Sequence, residues 1–249
     1  MNAKLFVSIA FAALSLSANA AVILEDNFND GTVDSSKFVT WGNTVSEHDG
    51  VLDVRTDVTD AGGAASTINL APQNYIQVTA THYIHAANDF TFSGIGLGNL
   101  QHGEDANIVY LSWQRSGWSP DNCNDPNNYD KILVRDGSCQ YFTNITSSNY
   151  LDKWITTTIT FDAITGNFTA DLNSDGIIDI STTVPVDRRT PVTNVELASS
   201  GWFTGHYHQF DSIVIESTNS SIPEPTTFSI FSLGLIALGS ASRRRLHNP

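Results

Sequence analysis

The sequence predicts one all-β domain of the sandwich or barrel type, and three observations carry that prediction. Apolar and polar residues alternate with a period of two in one segment after another. Clusters of Gly, Asn, Asp and Ser separate those segments at short intervals. Between the two chain ends, no segment sustains the ~3.6-residue period of an amphipathic helix. Many short strands joined by turn chemistry bury their apolar faces by stacking two sheets or closing one.

The strands are taken in chain order. Residues 51–55 and 75–84 come first. In the second run, Ile76, Val78, Ala80, His82 and Ile84 share one face, and Tyr75, Gln77, Thr79, Thr81 and Tyr83 the other. Residues 108–113 and 132–135 are rich in the β-branched and aromatic residues that strands favour. In residues 154–163, Ile155, Thr157, Ile159, Phe161 and Ala163 alternate with threonines. Thr165-Gly166-Asn167 then turns the chain and residues 168–172 return. Asn173-Ser174-Asp175-Gly176 turns it again before residues 177–180. Residues 195–198 and 210–216 complete the set, and no internal repeat is visible.

The two ends follow other rules. Lys4 is the only charge before Glu25, and residues 5–16 are apolar. Ala18 and Ala20 then place small side chains at the two positions a signal peptidase reads. Residues 1–20 are therefore expected to be a secretory signal. A buried N-terminal helix fits less well, because the run is short and ends at a cleavage signature. At the other end, Pro223-Glu224-Pro225 precedes an uncharged run, residues 226–242, followed by Arg243, Arg244 and Arg245. The run is near the ~17-residue lower limit of a membrane span. The arginines suit a cytoplasmic anchor. In order and spacing this tail resembles the PEP-CTERM sorting signal. The resemblance implies recognition by a membrane-embedded exosortase and cleavage near the motif. It also implies a place at the cell surface or in the matrix of a Gram-negative bacterium that makes extracellular polysaccharide. The expected organisation is a signal at 1–20, a β-sandwich at 21–216, a linker at 217–222 and a sorting signal at 223–245.

The formal charge is -14. Lys4 and the three terminal arginines belong to the signals, so the domain itself is more acidic still. Such a surface repels nucleic acid, and no nucleic-acid partner is expected. It suits calcium and an extracellular setting. Cys123 and Cys139 are the only cysteines. In an exported protein they are expected to form a disulfide, which the loop-entropy model values at about 3 kcal/mol. No histidine spacing near them points to zinc.

A second resemblance covers the domain. Glu25-Asp26-Asn27-Phe28-Asn29-Asp30-Gly31, then Trp41-Gly42, then Glu47-His48-Asp49-Gly50-Val51-Leu52, is similar to the opening of concanavalin A-like jelly rolls of the laminin-G and glucanase type. Residues 209–216 resemble their closing strand. The resemblance implies a two-sheet jelly roll with the last strand beside the first, and a concave face that often binds glycan. Function does not follow from the fold alone.

The candidate chemistry is sparse. Retaining glycosidases need two carboxylates about 5 Å apart. The laminarinase-type E-x-D-x-x-E string is absent, and Glu104-Asp105 are neighbours that a strand would point to opposite faces. A polysaccharide lyase would use an Arg or Gln with a His/Tyr pair. Gln114-Arg115, His82 and Tyr83 supply the residue types without a family string. His82 and His85 face opposite ways on a strand, with His82 on the core side. His206 and His208 share a face if their segment is a strand, or form a loop-edge pair if it is not.

Asp171, Asn173, Asp175 and Asp179 match positions one, three, five and nine of a D-x-N-x-D-G calcium loop. Thr182 replaces the usual Glu at position twelve, and a plain hairpin explains the same turn. The jelly-roll resemblance implies a second ion between Asp26 and Asp211, with the Gly50 carbonyl as a further ligand. Calcium is thus expected as a structural ion. Trp41, Trp113 and Trp154 read as core. Trp118, Trp202, His206 and Tyr207 sit near glycines and read as ligand-binding.

The expectation is an exported, sorted jelly roll that binds glycan or matrix and does not catalyse. Its partners are exosortase during sorting, an extracellular polysaccharide, and the membrane through the C-terminal span before cleavage. The alternatives are a glycoside hydrolase or lyase on the same fold, and a structural matrix protein with no specific ligand.

Overall fold

The computed structural model describes residues 21–41, 44–55, 63–85, 91–98, 107–114, 131–135, 143, 145–201 and 207–217. Among these, fourteen strands run in the order β1 (Ala21–Asp26), β2 (Phe38–Trp41), β3 (Val45–His48), β4 (Val51–Arg55), β5 (Gly63–Gln73), β6 (Tyr75–His85), β7 (Thr91–Gly98), β8 (Asn107–Gln114), β9 (Lys131–Arg135), β10 (Trp154–Asp162), β11 (Asn167–Asp171), β12 (Ile180–Thr183), β13 (Val192–Gly201) and β14 (Tyr207–Ser217). One sheet has eight strands, in the order β12-β11-β10-β6-β14-β4-β3 with β1 also on β14. The other has six, in the order β2-β5-β13-β7-β8-β9. The expected two-sheet, all-β architecture is present. β1 pairs antiparallel with β14, Asp26 opposite Ile213, so the last strand does lie beside the first.

The core fills the space between the sheets. Ile76, Val78, Ala80 and Ile84 of β6 are buried, and so are Ile159 and Phe161 of β10. Val109, Leu111 and Trp113 of β8 join them from the six-stranded sheet. Each such large apolar side chain contributes about 1.5–3 kcal/mol on burial. In β14, Phe210, Ile213 and Ile215 all face inward. Strict alternation would put Phe210 and Ile213 on opposite faces. A register shift between Phe210 and Ser212 resolves this by leaving Asp211 as the extra residue, exposed.

Several expectations need correction. The strand foreseen at 177–180 begins only at Ile180, because the preceding loop is held by its own side chains; Ile177 and Ile178 are exposed. Ser217 belongs to β14 rather than to a linker: it is buried and its hydroxyl donates to the Tyr75 carbonyl. β2, β3, β5 and β7 add strands that the alternation did not reveal. β7 carries Gly94, Gly96 and Gly98, and the Tyr110 ring lies where a Cβ on Gly94 would stand. Trp113 is core as expected, but Trp41 and Trp154 are each 47% exposed. Trp41 lies on β2, at the edge of its sheet. Trp154 lies on the outer face of the eight-stranded sheet, in line with Thr156 and Thr158.

A polar chain crosses the core. His82 on β6 and His208 on β14 are both fully buried. His82 Nδ1 is 2.9 Å from His208 Nε2, and His82 Nε2 is 2.9 Å from Thr157 Oγ1. Thr157 donates to the Leu172 carbonyl, and His208 Nδ1 lies 3.2 Å from the Ala198 carbonyl on the opposite sheet. His82 is thus the bonded core histidine that its place on the apolar face suggested. His208 is also core and not part of a loop-edge pair.

Candidate functional site

Antiparallel register builds the site. Residues directly opposite each other on neighbouring strands share a face. On the outer face of the eight-stranded sheet, Trp154 of β10 pairs with Tyr83 of β6, which pairs with Gln209 of β14. Two residues along, His85 pairs with Tyr207, which pairs with Arg55 of β4. Period-two alternation thus gathers four aromatic or imidazole rings and a guanidinium at one end of the sheet.

Their contacts are close. The Tyr83 and Trp154 ring centroids are 5.6 Å apart, and those of Tyr83 and Tyr207 are 6.1 Å apart. Tyr207 stacks on His85 at 4.8 Å, and the Arg55 guanidinium lies over its ring at 4.7 Å. The cation over the ring face adds an electrostatic attraction. Carboxylates brace the imidazole and the guanidinium. Asp152 Oδ1 is 2.8 Å from His85 Nδ1. Asp53 Oδ2 accepts from Arg55 at 2.6 Å and lies 3.2 Å from His48 Nε2. Burial, with Tyr207 and Asp152 nearby, pushes the Tyr83 hydroxyl above the usual phenol range. Trp154 is the exposed ring of the cluster, next to a polar rim of Asp152 and His85. An open indole face beside hydroxyl-binding side chains can stack on the apolar face of a sugar and hold its hydroxyls.

Of the four ligand-binding residues expected from sequence, Tyr207 is in this cluster. Trp118, Trp202 and His206 lie outside the described residues. So do Ala18, Ala20, Glu104, Asp105, Arg115, Cys123, Cys139, and the tail with Pro223, Glu224, Pro225, Arg243, Arg244 and Arg245. Sequence reasoning missed Trp154, His85, Arg55, Asp53 and Asp152 as site residues. For Trp154 the signal was available, because its parity matches Thr156, Thr158 and Thr160. The others depend on cross-strand register.

The two calcium readings do not fit the residues as placed. In the hairpin loop, Asp171 accepts the backbone N–H groups of Asp175 and Gly176 at 3.2 and 2.8 Å. Asp175 accepts from the Ile177 N–H and the Asn173 amide, and Asp179 from the Leu172 N–H. The carboxylates are turned onto the loop's own amides rather than toward a shared centre. At the strand junction, Asp26 already has a cation, Lys37 Nζ at 3.1 Å, and Asp211 is the exposed bulge residue. That bond raises the Lys37 pKa. Among the described residues, no three His, Cys, Asp or Glu side chains converge to hold a metal. Gly50 instead serves the β3–β4 turn, where Asp49 and Gly50 both take positive φ, at 52° and 79°.

No family model matches the chain, and no curated protein matches its sequence. Solved structures do match its fold. Lectin II from Ulex europaeus is 16% identical, with a TM-score of 0.54, over 79% of this chain and 99% of that one. The lectin from Bauhinia forficata, in complex with GalNAc, is 14% identical, with a TM-score of 0.56, over 80% of this chain and all of the other. A structure from work on endo-acting O-glycanases of the human gut microbiota is 13% identical, with a TM-score of 0.54, over 79% and 99%. The sandwich therefore has the concanavalin A-like, lectin-type fold. Among the described residues, no helix is long and apolar enough to cross a membrane.

Proposed function

We propose that this chain is an exported, exosortase-sorted protein of the cell surface or extracellular matrix whose sandwich binds glycan without breaking it. The observation that carries the binding reading is the half-exposed Trp154 beside Tyr83, rimmed by Asp152 and His85. The fold shared with lectins, one of them in complex with GalNAc, supports it. The export and sorting reading rests on Ala18, Ala20, Pro223-Glu224-Pro225 and the three arginines. The test is binding of the purified chain to an array of glycans, with Trp154→Ala beside it. The expected result is saturable binding that Trp154→Ala weakens at least about tenfold, a loss of ~1.4 kcal/mol. Saturable binding unchanged in Trp154→Ala would remove this face as the site.

One observation favours a second reading. Arg55, Tyr207 and His85, the residue types of a uronate lyase, stand together. Against it, Asp53 at 2.6 Å already neutralises Arg55. Incubation with polyuronates, watched for new unsaturated chain ends, decides between the two.

A further inference from the structure

The outer face of the eight-stranded sheet continues beyond the aromatic cluster, and its chemistry changes. Moving down the strands from Trp154 and Tyr83, the next row pairs Thr156 with Thr81, then Thr158 with Thr79, then Thr160 with Gln77. Thr169 of β11 extends the last row. The six threonines are all half-buried. Their hydroxyls meet in pairs: Thr81 with Thr156 at 3.0 Å, Thr79 with Thr158 at 3.2 Å and Thr160 with Thr169 at 2.6 Å.

Each pair has two hydroxyl protons and uses one between its members. One donor and several lone pairs per pair are left facing outward. Thr158 also meets Ser174 at 2.9 Å, which adds one proton and one contact and leaves the balance unchanged.

On β6 and β10 themselves the rows carry no charge. Their continuations on β14 are Ser212, Val214 and Glu216, whose carboxylate accepts from the Gln77 amide at 2.8 Å, and Glu25 of β1 lies opposite Val214. Asp171 lies next to Thr158 on β11, but it is 94% buried, with both oxygens on loop amides. Along β6 and β10 the next charges are Asp162 at the far end and the Asp152 and Arg55 group beyond Trp154; on the β14 flank stand the carboxylates of Glu216, Glu25 and Asp211, with no cation among the rows. That leaves an uncharged strip along two strands of a chain with 26 acidic residues and a formal charge of -14. From Gln77 to Tyr83 it is about 20 Å long at ~3.3 Å per residue.

Resting on the glycan-binding reading above, we propose that the ligand is a neutral, linear polysaccharide that runs along β6 and β10. One sugar stacks on Trp154, and several more lie across the threonine rows. A neutral polyol both donates and accepts hydrogen bonds, as the paired hydroxyls do. An anionic chain would meet the field of an acidic protein with no cation along these rows to offset it. A single terminal sugar would use Trp154 and leave the rest of the face bare.

The test is calorimetric titration of the purified chain with linear glucan, mannan and xylan oligomers, from a single sugar to long chains. Polygalacturonate serves as the anionic control. Affinity for at least one neutral series should rise about tenfold or more with length, equivalent to ~1.4 kcal/mol. Thr158→Lys should cancel that gain and leave the single-sugar affinity in place. Thr158→Val, which keeps the shape and removes the hydroxyl, should lose part of it. Trp154→Ala should weaken every length. A single sugar binding as tightly as the polymer, indifference to Thr158→Lys, or a preference for polygalacturonate would overturn the extended-chain site while leaving glycan binding standing. No binding by any probe would overturn the glycan reading and this inference with it.

Discussion

His82 Nδ1 and His208 Nε2 lie 2.9 Å apart in the sealed core, at the centre of a chain that ends on a backbone carbonyl at each side. Thr157 gives its proton to the Leu172 carbonyl and so accepts one from His82 Nε2. His82 Nδ1 must then accept from His208 Nε2. Two neutral imidazoles and a hydroxyl supply three protons for four contacts, so the neutral pair leaves the contact to the Ala198 carbonyl without one. Charging the pair would satisfy that contact at the cost of a buried cation.

Burial wins that contest, pushing the His82 imidazole down to about 3. The unfolded chain takes up this proton below about pH 6.5, while the folded chain resists until near pH 3. The stabilisation is therefore whole above about pH 6.5 and falls as pH drops, by up to ~1.4 kcal/mol per pH unit. Denaturant titrations at about pH 7 and about pH 5 should differ by about 2 kcal/mol. His82→Asn should flatten that slope even though it lowers stability overall. Equal slopes in the two proteins would show that other groups carry the acid sensitivity.

Gly94→Ala should destabilise the fold by about 1–3 kcal/mol, the usual cost of overpacking. The added methyl would meet the Tyr110 ring and, at 2.5 Å, the Leu111 carbonyl oxygen. Backbone on one side and a buried ring on the other leave little room to yield. An unchanged denaturation midpoint would mean that the Tyr110 ring swings away freely.

Asp175→Ala should lower stability by about 0.5–1.5 kcal/mol, the net worth of a hydrogen bond. The loss should be the same in calcium and in chelator, because the carboxylate serves the Ile177 N–H and the Asn173 amide. Thermal melts of both proteins in both buffers check this. A loss seen only with calcium present would restore the ion to the loop.

Protein isolated from its host should begin near Ala21 and end near Pro223, with no titratable thiol before reduction. Intact mass and a thiol assay on the denatured chain measure both. A full-length species from normally growing cells would refute the processing. Two free thiols would refute the Cys123–Cys139 bridge.

The sandwich was legible because most strands alternate cleanly, and β4, β6 and β10 stand close to where the alternation placed them. β7 was not, because Gly94, Gly96 and Gly98 have no side chains to alternate. The bulge at Asp211 breaks the period within β14, so its inward residues cannot be counted straight through. Trp154 was read as core, although its parity with Thr156 and Thr158 puts it on the outer face. The stack of His85, Tyr207 and Arg55 joins three strands from distant parts of the chain, and only register brings them together. The acidic turn of residues 171–179 was plain as a turn. Whether its oxygens turn to a metal or to their own backbone depends on rotamers that a residue string does not encode.

β14 begins at Tyr207, inside the aromatic cluster, and ends at Ser217, opposite Ala21. Its eleven residues separate those points by about 30 Å. The strand therefore acts as a handle. Whatever follows Ser217 leaves from one end of the sandwich, and Trp154 and Tyr83 look out from the other. A pull applied through Ser217 would load the join of β1 to β14 first, before it reached the aromatic cluster.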